Sequence, residues 1–224
     1  VESNGGSLNA YTSNDETYYY EFFPSNKLEL GLWLESERML HPVIDEIGVK
    51  TQNEVVKEEK RLSYDNRPYG QLLPQITQSL FKKHPYRWLP IGSMDHLDSA
   101  TLDEFIAYNK KFYVPNNAVL VVAGNFEIDE TKNKIKDYFG PIPRGNDVPR
   151  IDIEEDPLTA EVRKSFYDPN IQLPMGLVCY RIPSFKERDS YVLDMISSIL
   201  SSGKSSRLYK KMVDTKKVSV EVQA

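Results

Sequence analysis

The chain has 224 residues, 40% hydrophobic and 27% charged, with 28 Lys and Arg against 33 Asp and Glu for a net charge of -5. That balance fits a globular protein of one large or two small domains, and it speaks against a nucleic-acid or anionic-membrane surface because the cations are dispersed among acids. The longest apolar run, Ala118 to Ala123, is strand-sized and falls far short of the roughly 18 to 20 residues of a bilayer span. The single cysteine, Cys179, excludes an intrachain disulfide and a zinc site built from thiolates. It leaves the compartment open, an extracytoplasmic one being the expectation.

The N-terminal VESNGGSLNA has neither an initiator Met nor the form of a signal peptide, so an internal piece of a longer protein is expected. From Ser7 to Phe23 the residues alternate about Asn14-Asp15, which predicts two strands and a hairpin. Within it Tyr18, Tyr19 and Tyr20 must alternate faces, one ring toward a core and another toward solvent. Lys27 to Leu40 predicts a helix that His41-Pro42 stops. A second helix is expected from about Val43, bending at Gly48 and continuing through Thr51 to Leu62.

Thr51 and Glu54 have capping-box spacing and predict a helix start. Steps of three and four from Gln52 pass through Val55 or Val56 to Glu59 and Leu62, placing Glu59 on the predicted core-facing stripe, with Lys57, Glu58, Lys60 and Arg61 mostly outside it. A buried carboxylate requires a cation, a metal or a proton, and a buried Arg would satisfy Glu59 as well as a metal. Downstream, 71–83 reads as a helix with Pro74 in its first turn, and 99–113 as another. The run 117–124 has the form of a strand buried on both faces, with a helix at 129–139 packing back on it. A Pro-, Gly- and acid-rich boundary follows at 140–157. Beyond it come strands at 161–167 and 171–181, helices at 186–200 and 205–213, and a strand at 218–223. The expected class is α+β, a mixed, largely antiparallel sheet packed with helices.

His41, His84 and His96 lack the spacing that sets two imidazoles on one helical face, and the acidic 151–156 lacks the ligand pattern of a calcium loop, so it reads as a solvated linker. No nucleophile elbow, phosphate loop or dinucleotide fingerprint occurs.

The stretches GGSLNAYTSNDETYYYEF, TQNEVVKEEKR, HPYRWLPIGSMDHLDSATLDEFIAYNKKFYVPNNAVLVVAGNF and SSILSSGKSSRLYKKM, in that order, resemble the insulinase/pitrilysin family of zinc metallopeptidases, most closely its short-chain branch that includes mitochondrial processing peptidase. The resemblance implies an H-x-x-E-H helix supplying two His ligands and a Glu base, and a Glu from a second helix roughly 75 residues on completing the site. Glu59 of VVKEE matches that third zinc ligand. Counting back from it passes Val1, so the chain as given is expected to hold no catalytic residue, to bind no zinc in the family manner and to be inactive. Gln52 stands where many members carry a Glu, which implies an outer hydrogen-bonding role for it.

Asn9, Ala10, Tyr11 and Thr12 resemble the family's edge strand, where the backbone of a peptide or unfolded protein substrate adds as a further strand. Residues 1–143 resemble the later two-thirds of the catalytic repeat, 144–157 a linker, and 158–224 the opening third of a non-catalytic repeat. The last part is a candidate to complete the first as a permuted single domain, which requires its strands to pair with 117–124. The family's Arg and Tyr clamp would fall near Val213 and Val220 and has no match here, so a homologous partner subunit or half would supply it. The expected function is thus a fragment of a zinc metalloendopeptidase. The alternatives are a non-catalytic partner or scaffold subunit and a peptide-binding module.

Overall fold

In the computed structural model, which describes residues 1–224, the alternating stretch forms an antiparallel hairpin of β1 (Ser7–Thr12) and β2 (Thr17–Phe22), with Tyr11 opposite Tyr18 and Ala10 opposite Tyr19. The two faces differ as the pleat requires. Tyr11 stacks on Tyr18, and Tyr18, Tyr20 and Phe22 follow one another along the open face at ring separations of 5.8 and 5.7 Å. Tyr19 points the other way: its hydroxyl meets that of Tyr113 at 3.1 Å, and the Arg38 guanidinium lies 4.5 Å from its ring centre.

Arg38 belongs to α1 (Leu28–Leu40), which ends at His41 before Pro42 as predicted. It grips Glu35 with two bonds of 3.0 Å and lies 3.7 Å from Glu21 of β2, so the sheet is tied to the helix by a shared cation. Leu32 and Ser36, one turn apart on α1, are buried. The next helix, α2 (Glu46–Lys60), starts earlier than the Thr51–Glu54 capping spacing predicts. Asp45 is the N-cap and accepts from the Gly48 N–H at 2.6 Å, so Thr51 lies inside the helix and Gly48 sits unbent in its first turn. A short acid with extended backbone satisfies the free N–H groups of a first turn, and here it outcompetes the Thr. The helix then widens into a π turn over Arg61–Asp65.

Helix α3 (Leu72–Leu80) carries Pro74 in its first turn, where the missing N–H does no harm. The helix expected at 99–113 forms as α5 (Leu102–Phe112), which starts on the capping box of Thr101 and Glu104, and a short helix not expected from the sequence, α4 (Met94–Ser99), capped by Ser93, precedes it. His96 lies in α4. Helix α6 (Ile128–Phe139) packs on α1, with Lys134 3.1 Å and the Tyr138 hydroxyl 2.9 Å from Glu29.

The chain divides into compact units Val1–Pro174 and Met175–Ala224, a boundary beyond the expected linker. The second unit holds α7 (Arg188–Ser201) and a π-helical turn over Tyr209–Thr215. The Ala224 N–H donates to Ser201 Oγ at 2.7 Å, laying the C-terminal residue on α7.

The α+β class holds, with a sheet of only two strands. The stretches 117–124, 161–167, 171–181 and 218–223 join no ladder, so the permuted arrangement, which needs 117–124 paired with the later strands, is not formed in this chain. The physical reason is that a strand apolar on both faces is held by neighbours on both edges. Here those residues stand in solvent, Val119 at 89% and Val178 at 80% exposure.

The apolar core is correspondingly small, Leu32, Val114 and Ile142 being its buried members. Leu32→Ala, at 3% exposure, is expected to lower the unfolding free energy by about 2–5 kcal/mol in a denaturant titration. Burial, and then the hydrogen bond with Tyr113, push the Tyr19 hydroxyl up to about 12 from 10.0. The folded state thus keeps a proton that the unfolded chain releases, and this contribution is whole below pH 10 and lost as pH rises toward 12. The stability advantage of the parent over Tyr19→Phe should shrink across that window in urea titrations repeated at each pH.

Candidate functional site

The orientation of α2 decides what Glu59 can do. Its inner side is held by polar bonds: Asn53 Nδ2 donates to the Leu97 carbonyl at 3.1 Å, and Lys57 Nζ lies 2.5 Å from Asp98 and 2.7 Å from Glu54. The hydrogen bond to Asp98, and then that to Glu54, raise the Lys57 ammonium above the ordinary lysine value. Val49, Asn53, Val56, Lys57 and Lys60 make up the sheltered side, which is rotated from the predicted stripe by roughly a third of a turn at 3.6 residues per turn.

Gln52, Val55, Glu59 and Leu62 consequently face outward, Val55 at 53% and Leu62 at 63% exposure, which corrects the expectation that Glu59 is buried. The acidic and basic neighbours are paired. Glu58 takes Arg61 at 3.1 Å, Glu54 takes Lys57, and Lys60 takes Asp65 at 2.9 Å. Glu59 makes no ion pair and no hydrogen bond; its carboxylate stands on an open face with Gln52 two turns away, about 10 Å along the axis at 1.5 Å per residue. Sequence reasoning missed the polar inner side because Asn53 and Lys57 read as solvent residues, and their partners Leu97 and Asp98 are remote in the chain.

The second predicted site is β1. Across the hairpin turn the Ser13 N–H donates to the Glu16 carbonyl at 2.8 Å. Bonded and non-bonded pairs alternate in an antiparallel ladder, so Leu8, Ala10 and Thr12 turn their backbone groups to the unpaired edge. All six residues of β1 are exposed. Asn9 Oδ1 accepts the Ala10 N–H at 2.8 Å, occupying a donor that an added strand would otherwise take. Tyr86 steadies the tip of the hairpin, its hydroxyl donating to the Asp15 carboxylate at 2.6 and 2.7 Å from the two oxygens. No hydrogen bond or ion pair links β1 to Glu59 or Gln52.

No three His, Cys, Asp or Glu side chains gather where they could hold a metal ion. The residues present do not make a zinc site by themselves: Glu59 fits as one oxygen ligand where zinc takes at least three from protein. His41 pairs with Glu37 at 2.8 Å, and His84 accepts the Tyr86 N–H through Nδ1 at 3.2 Å, so both are occupied locally.

The family description "Insulinase (Peptidase family M16)" matches residues 1–87, which contain β1 and α2, and "Peptidase M16 inactive domain" matches residues 99–224. The zinc protease PqqE of Helicobacter pylori is 29% identical over 221 residues, 98% of this chain and 50% of its own length. The crystal structure of a protease from Helicobacter pylori superposes with a TM-score of 0.82 at 26% identity, covering 99% of this chain and 54% of that one. The first half of the periplasmic protease PqqL from Escherichia coli shares the fold over 66% of this chain and 32% of its own, with a TM-score of 0.59 at 23% identity. The chain thus spans about half the length of the relatives it matches. With more than half of its residues inside one of the two matched domains, the chain belongs to the insulinase-type M16 peptidase family.

Proposed function

We propose that this chain is part of a zinc metalloendopeptidase that cuts peptides or extended protein segments, and that by itself it contributes binding surfaces and one metal ligand without catalysing the cleavage. The observation that carries the reading is Glu59, an exposed carboxylate without an ion pair or hydrogen bond, in a segment where the neighbouring charges are paired. A carboxylate left unpaired on an open helical face, beside the uncovered Val55 and Leu62, is disposed to meet a further element and ligate zinc there. Gln52, on the same face, supplies a neutral amide able to hydrogen-bond a neighbouring ligand.

The β1 edge does the substrate work in this reading. An extended peptide adds beside β1, bonding to the outward groups of Leu8, Ala10 and Thr12, while the Asn9 amide gives up the Ala10 N–H. Main-chain bonding of this kind accepts many side-chain sequences, and the Tyr19–Tyr113 and Arg38–Glu21 contacts hold the strand steady as it does so. Residues 1–143 then form the later part of a catalytic repeat, 144–157 a linker and 158–224 the opening of a non-catalytic repeat. A homologous half and an extracytoplasmic location complete the proposal; no helix is long and apolar enough to cross a membrane.

A chain extended upstream by about 60 residues is expected to hold one zinc per molecule and to cleave an unstructured peptide. Glu59→Gln should lower zinc content and activity by about tenfold or more, and Glu58→Gln, which removes only an exposed pair with Arg61, should leave both near parent values. An extended chain that binds no zinc would instead favour a non-catalytic partner subunit, the reading that Gln52, neutral where many members carry a Glu, points toward.

A further inference from the structure

The acidic stretch between the expected repeats is held to the first unit by a defined site. Glu155 Oε1 accepts three successive backbone N–H groups, those of Lys82 at 2.7 Å, of His84 at 2.6 Å, and of Lys83 between them. Glu155 is half-buried, whereas Ile151, Asp152, Ile153, Glu154 and Asp156 are exposed. Adjacent amides aimed at one point make an anion-binding concavity, and bonds to a carboxylate are stronger than those between neutral groups.

The loop is also held by bonds that do not involve Glu155. Helix α3 closes with the Phe81 N–H on the Thr77 carbonyl at 2.8 Å, and Lys82 Nζ reaches back to the Gln78 carbonyl at 2.7 Å. Arg87 donates to the Lys82 carbonyl at 2.9 Å. In a trans peptide the carbonyl and the following N–H point opposite ways, so that bond turns the Lys83 N–H toward Glu155. An exposed ion pair, Lys83 with Asp156 at 2.7 Å, lies beside the nest.

The linker has a second fastening at its other end. Asn116 accepts the Gly145 N–H at 2.9 Å and donates to the Asn146 carbonyl at 3.1 Å. Gly145 sits so close to the buried Val114 that a Cβ there would lie 2.4 Å from Val114 Cγ1, so only glycine permits the approach.

We propose that the amides of Lys82, Lys83 and His84 form a carboxylate-binding nest whose ligand is Glu155, making the linker a strap fastened across the first unit at Asn116 and at the nest. The strap fixes where the chain leaves the linker toward residue 158. The same loop carries Tyr86, which holds Asp15 at the hairpin tip, so strap and hairpin share one support.

The test is amide hydrogen exchange with limited trypsin digestion on the full chain. In Glu155→Ala the Lys82–His84 amides should exchange about tenfold faster and cleavage after Arg150 should quicken by a similar factor. Glu154→Ala should match the parent. Glu155→Gln, which keeps the shape and a neutral acceptor, should give a smaller increase at the same amides. Rates in Glu155→Ala equal to the parent's would overturn the proposal. So would an increase spread evenly over α1 to α6, which would make Glu155 a general support of the fold rather than the ligand of a local nest.

Discussion

The polar clamp on the inner side of α2 is the constraint on which the rest depends. Asn53 on the Leu97 carbonyl and Lys57 between Asp98 and Glu54 fix the rotation of the helix about its own axis. A helix carries its side chains at set angles, so once Lys57 is turned inward Glu59, two residues on, must lie toward the opposite side. Lys57 can be drawn inward because a lysine stem is apolar and its ammonium meets the carboxylates of Asp98 and Glu54. Burying that cation unpaired would be costly; paired, it orients the helix and leaves the side that carries Gln52 and Glu59 open.

The hairpin shows the same division between a held side and an open side. Tyr19, Glu21 and Arg38 bind it to α1, and Tyr86 holds its tip, so β1 can leave its outer backbone groups uncovered without the strand fraying. An exposed strand edge is a liability for aggregation, and the Asn9 amide over the Ala10 N–H partly blunts it. An edge both held and only lightly covered suits the addition and release of extended chains.

Much of the helical framework was legible because its signals are local. The 28–40, 72–80, 128–139 and 188–201 helices follow from apolar spacing and from breakers such as His41-Pro42. Two kinds of feature were not. The start of α2 turns on a competition between two caps, Asp45 and Thr51, that pattern alone does not rank, and its inner side is set by the polar residues Asn53 and Lys57, which a search for an apolar stripe does not pick out. The strands at 117–124, 161–167 and 171–181 were read from composition, but pairing depends on neighbours remote in the chain, and the sheet that forms supplies none. The burial argument for Glu59 fails, and its proposed role as a ligand rests on the family motif and on its unpaired, outward position. An outward carboxylate without a partner suits a ligand for a metal brought by another element better than a carboxylate already satisfied in a core.

The most direct measurement of the central claim is a crystal structure of the upstream-extended chain grown with zinc, with the metal located by its anomalous signal. A Glu59 carboxylate oxygen is expected at about 2.0–2.2 Å from the ion, with α2 in the rotation that Lys57 and Asn53 set and the outward face of Val55 and Leu62 covered by the added element. Zinc held elsewhere with Glu59 still in solvent, or α2 rotated so that Lys57 has left Asp98, would contradict it.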